Sequence, residues 1–318
     1  PFKRSERKST FHEELVSMKK LVTTLLIAAI GTGVGTAMAA DNNAPSAANN
    51  FNPLNNPSDP AKFAQEYRDY FYKNFPQIPH DKYNMGVYAF DKDAYSQYQD
   101  MMQFPPQDDY IAAGKKFWED YRLPNGKPLS SCVGDAKGLR AKYPYFNTKD
   151  GKVHDLESDL INCQLNAGVP EDKSLGSKKG YKDLANVSAY LSSMSQGLKV
   201  DVKVPSDPKA VAAFNNGKHM FFRKTGQLNM SCADCHMYHA TQMVRSETLH
   251  PGMGNTTGFP VFRYSKQGMF TLNKRLFGCM RDTRTIPFKQ YSSNMLDLEY
   301  FLAYIDNGLE INGPALRK

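Results

Sequence analysis

Residues 232–236 read CADCH, and no other stretch restricts the fold of this 318-residue chain as much. Two thiols three positions apart on a helical turn reach both vinyl groups of one haem. The imidazole that follows falls over the iron as proximal ligand. C-x-x-C-H is therefore a c-type haem attachment sequence, with Cys232 and Cys235 as covalent anchors and His236 on the iron. The competing readings are a redox C-x-x-C pair and half of a zinc site. A zinc site needs a second ligand pair; His239 is available, but the sequence holds no further cysteine pair.

Around this motif the chain repeats itself. A helix holding AAGKKFWEDY leads to Ser131-Cys132, and one holding FNNGKHMFFRKTG leads to Ser231-Cys232. Each copy runs through a long loop to a second cysteine, Cys163 or Cys279. Each closes on an amphipathic helix, LANVSAYLSSMSQGLKV or MLDLEYFLAYIDNGLEI, in which Leu191 matches Leu302 and Gly197 matches Gly308. Both glycines stand where a helix C′ residue belongs. Few segments alternate with period two, so the class is mainly α. The reading is of two cytochrome c-like helical domains, 108–200 without haem and 210–318 with it, joined by a linker at 201–209. A helical extension at 58–107 precedes them. There Ser58 or Asp59 caps a helix with Pro60 in its first turn, and a second helix follows Asp91. The aromatic residues of this extension are expected to serve packing or a partner surface rather than chemistry.

In the first copy Asp135 and Ala136 stand where Cys235 and His236 stand in the second, so the attachment sequence is lost there. Cys132 and Cys163 are then expected to form a disulfide, the alternative being that Cys279 pairs with either.

The start of the chain reads as upstream read-through and a signal peptide, together residues 1–39. Met18, Lys19 and Lys20 open it, an apolar run follows, and Ala37-Met38-Ala39 forms an A-x-A cleavage site. A single membrane anchor is the competing reading, disfavoured by a short run rich in Gly and Thr. Residues 40–57 read as a disordered leader. Residues 1–39 hold six Lys/Arg and three Asp/Glu, so their loss lowers the net charge from +8 to +5. That is too weak to argue for nucleic acid. Export to the periplasm follows.

The far side of the iron has several candidate ligands: Met243, Met253, Met269, Met280, Met295, His250 and Cys279. Methionine suits an electron carrier, whereas a thiolate lowers the potential and suits a catalyst. Cys279 lies in KRLFGCMRDTR, where Lys274, Arg275, Arg281 and Arg284 are expected to lower its pKa and attract an anion, with Asp282 as the sole acid. It reads as a ligand, a free surface thiol or a disulfide partner.

The stretches SCADCH, HPGMGNTTGFPVFRYSKQG and RLFGC, with the two matching C-terminal helices, resemble the SoxA family. Its members are the larger subunits of SoxAX cytochromes in periplasmic thiosulfate oxidation. The resemblance spans about residues 58–313 and is to the single-haem kind, because Asp135 and Ala136 replace attachment residues. It implies an L-cysteine S-thiosulfotransferase with one covalently bound haem c, which joins thiosulfate to a cysteine of a SoxYZ-like carrier. Two electrons pass to a SoxX-like monohaem cytochrome. It also implies that Cys279 is the distal iron ligand and a candidate persulfide, with Arg275 in the active site and Arg281 and Arg284 as further candidates for binding substrate. Two other functions stay open at this point: a simple electron-transfer cytochrome c with methionine ligation, and a thiosulfate dehydrogenase that forms tetrathionate.

Overall fold

Asp59 accepts a hydrogen bond from the Lys62 amide at 2.8 Å, and Pro60 fills the first helical position. The first helix, α1 (Pro60–Asn74), therefore starts on a side-chain cap with no backbone donor wasted. The computed structural model describes residues 59–244 and 247–317. Read-through, signal peptide and leader lie outside them.

After a 3-10 stretch at His80–Ala89 come α2 (Lys92–Met101), capped by Asp91, and α3 (Gln107–Asp120). A single helical turn, Ser130–Val133, carries Cys132. Strands β1 (Tyr145–Asn147) and β2 (Lys152–His154) form an antiparallel hairpin, followed by α4 (Leu156–Asn166) and α5 (Tyr181–Ser193). Residues 201–207 are free of helix and strand, and α6 (Pro208–Phe222) begins beyond them. The remainder comprises the short hairpin β3 (Met243–Val244) and β4 (Glu247–Thr248), then β5 (Val261–Arg263) and β6 (Gly268–Phe270). Helices α7 (Leu272–Asp282) and α8 (Ser293–Ile305) and strand β7 (Ala315–Arg317) complete it. The fold is thus mainly helical with small sheets.

Two close helix crossings organise it. Gly114 of α3 lies so near α5 that a Cβ there would stand 1.9 Å from the Asn186 carbonyl oxygen. Gly217 of α6 lies as near α8, where a Cβ would stand 2.1 Å from the Asp297 carbonyl oxygen. Both contacts are far inside van der Waals range, so the absent side chain is what lets the backbones meet. Beyond α5 and α8 the chain turns at Gly197 (φ 79°) and Gly308 (φ 89°). Both glycines lie past the C′ position expected for them, because an extra turn follows each helix. The two exit segments then pair with each other. Gly197 and Val200 donate to the Ile311 and Leu309 carbonyls, and Gly308 and Ile311 donate to those of Val200 and Leu198.

The main core is not confined to one half. Phe63, Tyr67, Phe71 and Phe75 of the N-terminal segment pack with Phe214 and Phe221 of α6 and with Tyr300 and Phe301 of α8. Phe146 and Val153 of the first hairpin join the same cluster. A second cluster fills the first half around Leu129, Leu156, Leu160 and Leu184. A third lies between α5 and the sheet of order β6-β5-β7, where Ala185 and Ala189 meet Phe262, Met269 and Leu316.

A buried polar network joins the halves. Arg140 makes a two-armed ion pair with Glu157, one arm at 3.1 Å, and donates to Ser188 at 2.6 Å. Asp155 caps α4 by accepting from the Ser158 amide at 2.6 Å. Nearby on α8 is Glu299, 4% exposed. Three buried carboxyl groups thus share one guanidinium. Burial, with Asp155 and Glu157 beside it, pushes Glu299 well above the carboxylate range, so it keeps its proton. Asp155 Oδ2 and Glu299 Oε1 each lack a donor as bare carboxylates, and the Glu299 proton supplies one.

His154 forms a smaller network. Its Nδ1 lies 2.6 Å from Asp159 and its Nε2 2.8 Å from Asp150, while Tyr143 and Tyr145 both donate to Asp159. Burial opposes the charge, but the two carboxylates win and raise the imidazole pKa above 6.5. The stabilisation is therefore complete below the unfolded value and lost as pH rises through the folded one. His154→Gln should flatten the fall in unfolding free energy across the range that opens as pH rises above the ordinary imidazole value. Urea titrations across that range check it, and an unchanged slope would remove His154 as its source.

Candidate haem and thiol site

Ser231 and Asp234 hold the attachment turn. The Ser231 amide donates to Asp234 Oδ2 at 2.8 Å, and the Asp234 amide donates back to Ser231 Oγ at 3.1 Å. Burial works against the Asp234 charge, but these bonds and Lys224, at 3.4 Å, keep its carboxyl below the usual range. Asp234–Tyr238 then forms one π-helical turn that carries Cys235 and His236. The His236 Nδ1–H donates to the His250 carbonyl at 2.8 Å. That bond leaves Nε2 with a lone pair and no hydrogen-bond partner among the described residues. Burial, with Arg275 nearby, pushes the imidazole down, so the ring is neutral and able to ligate.

The N-terminal helix buttresses this proximal side. Tyr67 and Tyr70 of α1 donate to the Gly252 and Met237 carbonyls, each at 3.3 Å. A Cβ on Gly252 would stand 2.1 Å from the Tyr67 hydroxyl. Sequence reasoning assigned these tyrosines to packing; their hydroxyls also brace the loop that orients His236.

Cys279 is not in a loop. Thr271 caps α7 by accepting from the Lys274 amide at 3.3 Å, and residues 272–282 are helical. The basic run is therefore split between faces. Arg275 and Cys279, four apart, share one face. Arg281 projects from another, is 71% exposed and lies 3.9 Å from Asp282. Arg284 falls beyond the helix end at φ 58° and is exposed. Lys274 lies over the Tyr181 ring at 5.1 Å. Of the cations in the run, Arg275 is the one that acts on the thiol.

The expected lowering of the thiol pKa is also corrected. Burial raises the Cys279 pKa, and Arg275 and Arg263 offset this only in part. Arg263 is the residue that sequence reasoning missed. It sits on β5, its side chain is 14% exposed, and it lies 3.8 Å from Glu247. Nothing in its local sequence marks it, because strand pairing and not helical spacing brings it to Cys279.

Burial pushes Cys232 up to about 12, and Cys279 is near enough for its charge to raise the pKa of both Cys232 and Cys235. All three thiols are unbonded, whereas Cys132 and Cys163 form a disulfide across 31 positions. The methionine candidates are placed otherwise. Met243 is 67% exposed, while Met253 and Met295 are core residues and Met269 packs against α5. Met280 packs on the main core. His250 donates from Nδ1 to the Pro251 carbonyl.

These residues fit a haem. The donor set is two thiols, a neutral imidazole with a bare nitrogen and a third thiol nearby. Among the described residues no three His, Cys, Asp or Glu draw together tightly enough to hold a bare metal ion. A zinc site needs that convergence; a haem c needs the two thiols and the adjacent imidazole present here.

Comparison with known proteins agrees. A family model described as SoxA/TsdA, cytochrome c domain, matches residues 113–200. The SoxA L-cysteine S-thiosulfotransferase subunit of Chlorobaculum thiosulfatiphilum is 41% identical over 254 residues, 80% of this chain and 86% of that one. The chain belongs to the SoxA family. The Allochromatium vinosum SoxA subunit is 35% identical over 253 residues, 79% of this chain and 88% of its own. A solved structure, SoxXA from P. pantotrophus, matches with TM-score 0.61 and 30% identity, covering 70% of this chain and 84% of that one. The family's cytochrome c domain implies haem c as cofactor. The segment that the family model matches is the half with the disulfide, not the half with C-x-x-C-H.

Proposed function

We propose that this chain is an L-cysteine S-thiosulfotransferase subunit of periplasmic thiosulfate oxidation, and that its reaction centre is the α7 face bearing Arg275 and Cys279. The observation that carries the reading is that pair, one helical turn apart and near enough to Cys232, Cys235 and His236 to act on their charge, in a chain 41% identical to a subunit of that name. Cys232, Cys235, His236 and Cys279 would hold one haem c, which when bound would supply a one-electron acceptor and keep the Cys279 sulfur deprotonated. That last point matters here, because burial alone would leave Cys279 a thiol.

The chain's own residues bind the substrate and carry the sulfur. Thiosulfate is a dianion, and the Arg275 guanidinium meets its sulfonate oxygens. The sulfane sulfur bonds to the Cys279 sulfur, whether that is the cysteine's own or an added persulfide atom. The thiosulfonate group then passes to a cysteine of a SoxYZ-like carrier. Overall one S–S bond forms between carrier thiol and thiosulfate, one proton leaves the thiol, and two electrons leave for a SoxX-like cytochrome. The partner assignment is supported by the likeness to SoxXA. Arg281 and Arg284, exposed and off this face, are assigned to the rim, where they meet the incoming anion first. The periplasmic location is supported by the export pattern of residues 1–39.

Two copies of one cytochrome c-like unit account for the architecture, in this reading. A glycine-closed helix crossing in each half supports it, as does the match of the haem-less half to a cytochrome c domain.

The test incubates purified mature protein with thiosulfate, a SoxYZ-like carrier and an added monohaem cytochrome c. The expected result is a carrier heavier by one thiosulfonate, with two cytochromes reduced per adduct. Tetrathionate from the isolated chain, with no carrier adduct, would instead assign it as a thiosulfate dehydrogenase. The intact mass of the same protein should report one haem, one disulfide and any extra sulfur.

A further inference from the structure

The sheet of order β6-β5-β7 presents two different faces. Phe262 and Leu316 point to α5, so strand alternation sends their neighbours Arg263 and Arg317 to the other side. The two arginines are in register across the parallel β5–β7 pair. Like charges side by side on a sheet repel unless something stands between them or in front of them. Among the described residues the carboxylate paired with Arg263 is that of the half-exposed Glu247, at 3.8 Å. Arg317 has no carboxylate partner among the described residues. Its guanidinium lies over the Tyr88 ring at 5.1 Å and donates to the Leu316 carbonyl at 3.1 Å. Burial lowers the pKa of both groups, the mark of cations short of a counter-charge.

Their position says which anion is missing. Arg317 adjoins His250, whose carbonyl anchors the proximal His236, and both rest against Gly86. A Cβ on Gly86 would stand 2.3 Å from His250 Nε2 and 3.4 Å from Arg317 Nη2. Arg263, in register beside Arg317 and largely buried, completes a pair of guanidiniums next to the loop that anchors His236. A haem carries its vinyl groups on one edge and its two propionates on the opposite edge.

We propose that Arg263 and Arg317 are the seats of the haem propionates, with Arg317 the principal one, which leaves Arg275 for the substrate. The inference rests on the reading that Cys232, Cys235 and His236 hold a haem.

The test is the midpoint potential of the purified haem protein as a function of pH, for the unaltered chain and for Arg317→Leu and Arg317→Lys. Loss of the guanidinium favours the ferric state, so the potential of Arg317→Leu should fall. It should also acquire a pH dependence where a freed carboxylate titrates, which the unaltered protein lacks. Arg317→Lys keeps the charge and should fall less. A leucine variant with native haem content, potential and pH profile overturns the assignment. Should that variant fail to mature, a crystal structure of the haem-loaded unaltered chain decides. Arg317 within hydrogen-bond distance of a propionate oxygen upholds the seat, and propionates held by other groups overturn it. A chain without haem by the pyridine haemochrome assay would remove both this inference and the reading beneath it.

Discussion

Cys279→Ser should leave the haem attached and the fold intact while lowering thiosulfate-conjugating turnover by about three orders of magnitude or more. Serine is close to cysteine in size, and Cys279 belongs to none of the apolar clusters among the described residues. The substitution therefore tests chemistry rather than stability. Two readouts should move together. The ferric absorption spectrum should shift as a soft sulfur ligand is replaced by a hydroxyl, and conjugation should stop. The pyridine haemochrome should not change, because Cys232 and Cys235 are untouched. An active variant with an unaltered spectrum would remove both roles from Cys279. A shifted spectrum with full activity would separate ligation from catalysis. Arg275→Leu belongs beside it, as a loss of thiosulfate affinity with the haem spectrum little changed.

Arg140→Met should be the most destabilising single change in the first half, by about 3–5 kcal/mol. The reason lies in what remains. Arg140 is the one cation among Asp155, Glu157 and Glu299, and its removal leaves Glu157 buried without a counter-charge. The paired Glu157 is held below the usual carboxylate range, against burial, by Arg140 and Ser188. Without Arg140 it should take up a proton on folding. The loss should then shrink as pH falls, because the folded state becomes the one that binds more protons. Adding Glu157→Gln to Arg140→Met should recover a large part of the loss. Denaturant midpoints at two pH values for the unaltered chain and the two variants measure all of this. A loss equal at both pH values would mean that packing of the arginine stem, not charge, is what Arg140 provides.

Much of this molecule was legible from residue types and spacing alone. C-x-x-C-H announces itself because its chemistry is local, and Asp59-Pro60 and Asp91 mark helix starts for the same reason. The helices on either side of Cys132 and Cys232 are equally plain, since each is long and periodic. What was hidden is long-range. KRLFGCMRDTR reads as a basic cluster, but helical geometry turns Arg281 away from Cys279, and burial reverses the expected drop in thiol pKa. Arg263 and Arg317 are far apart in sequence and meet only because β5 and β7 pair in parallel. Nothing in the spacing around Glu299 marks it as buried, yet it shares a proton with Asp155. In each case the deciding partner comes from another element, which periodicity does not report.

The bracing of the proximal loop by Tyr67 and Tyr70 bears on how such a protein could be taken apart. A fragment beginning at Pro208 would hold every proposed haem-anchoring residue, yet it would lack the helix that covers Phe214, Phe221 and Phe301. It would bare that aromatic surface to water and leave the Gly252 and Met237 carbonyls without their phenol donors. The cytochrome half is therefore not a module that can be excised and moved to another protein. Its smallest transplantable form includes α1, encoded well over a hundred positions upstream.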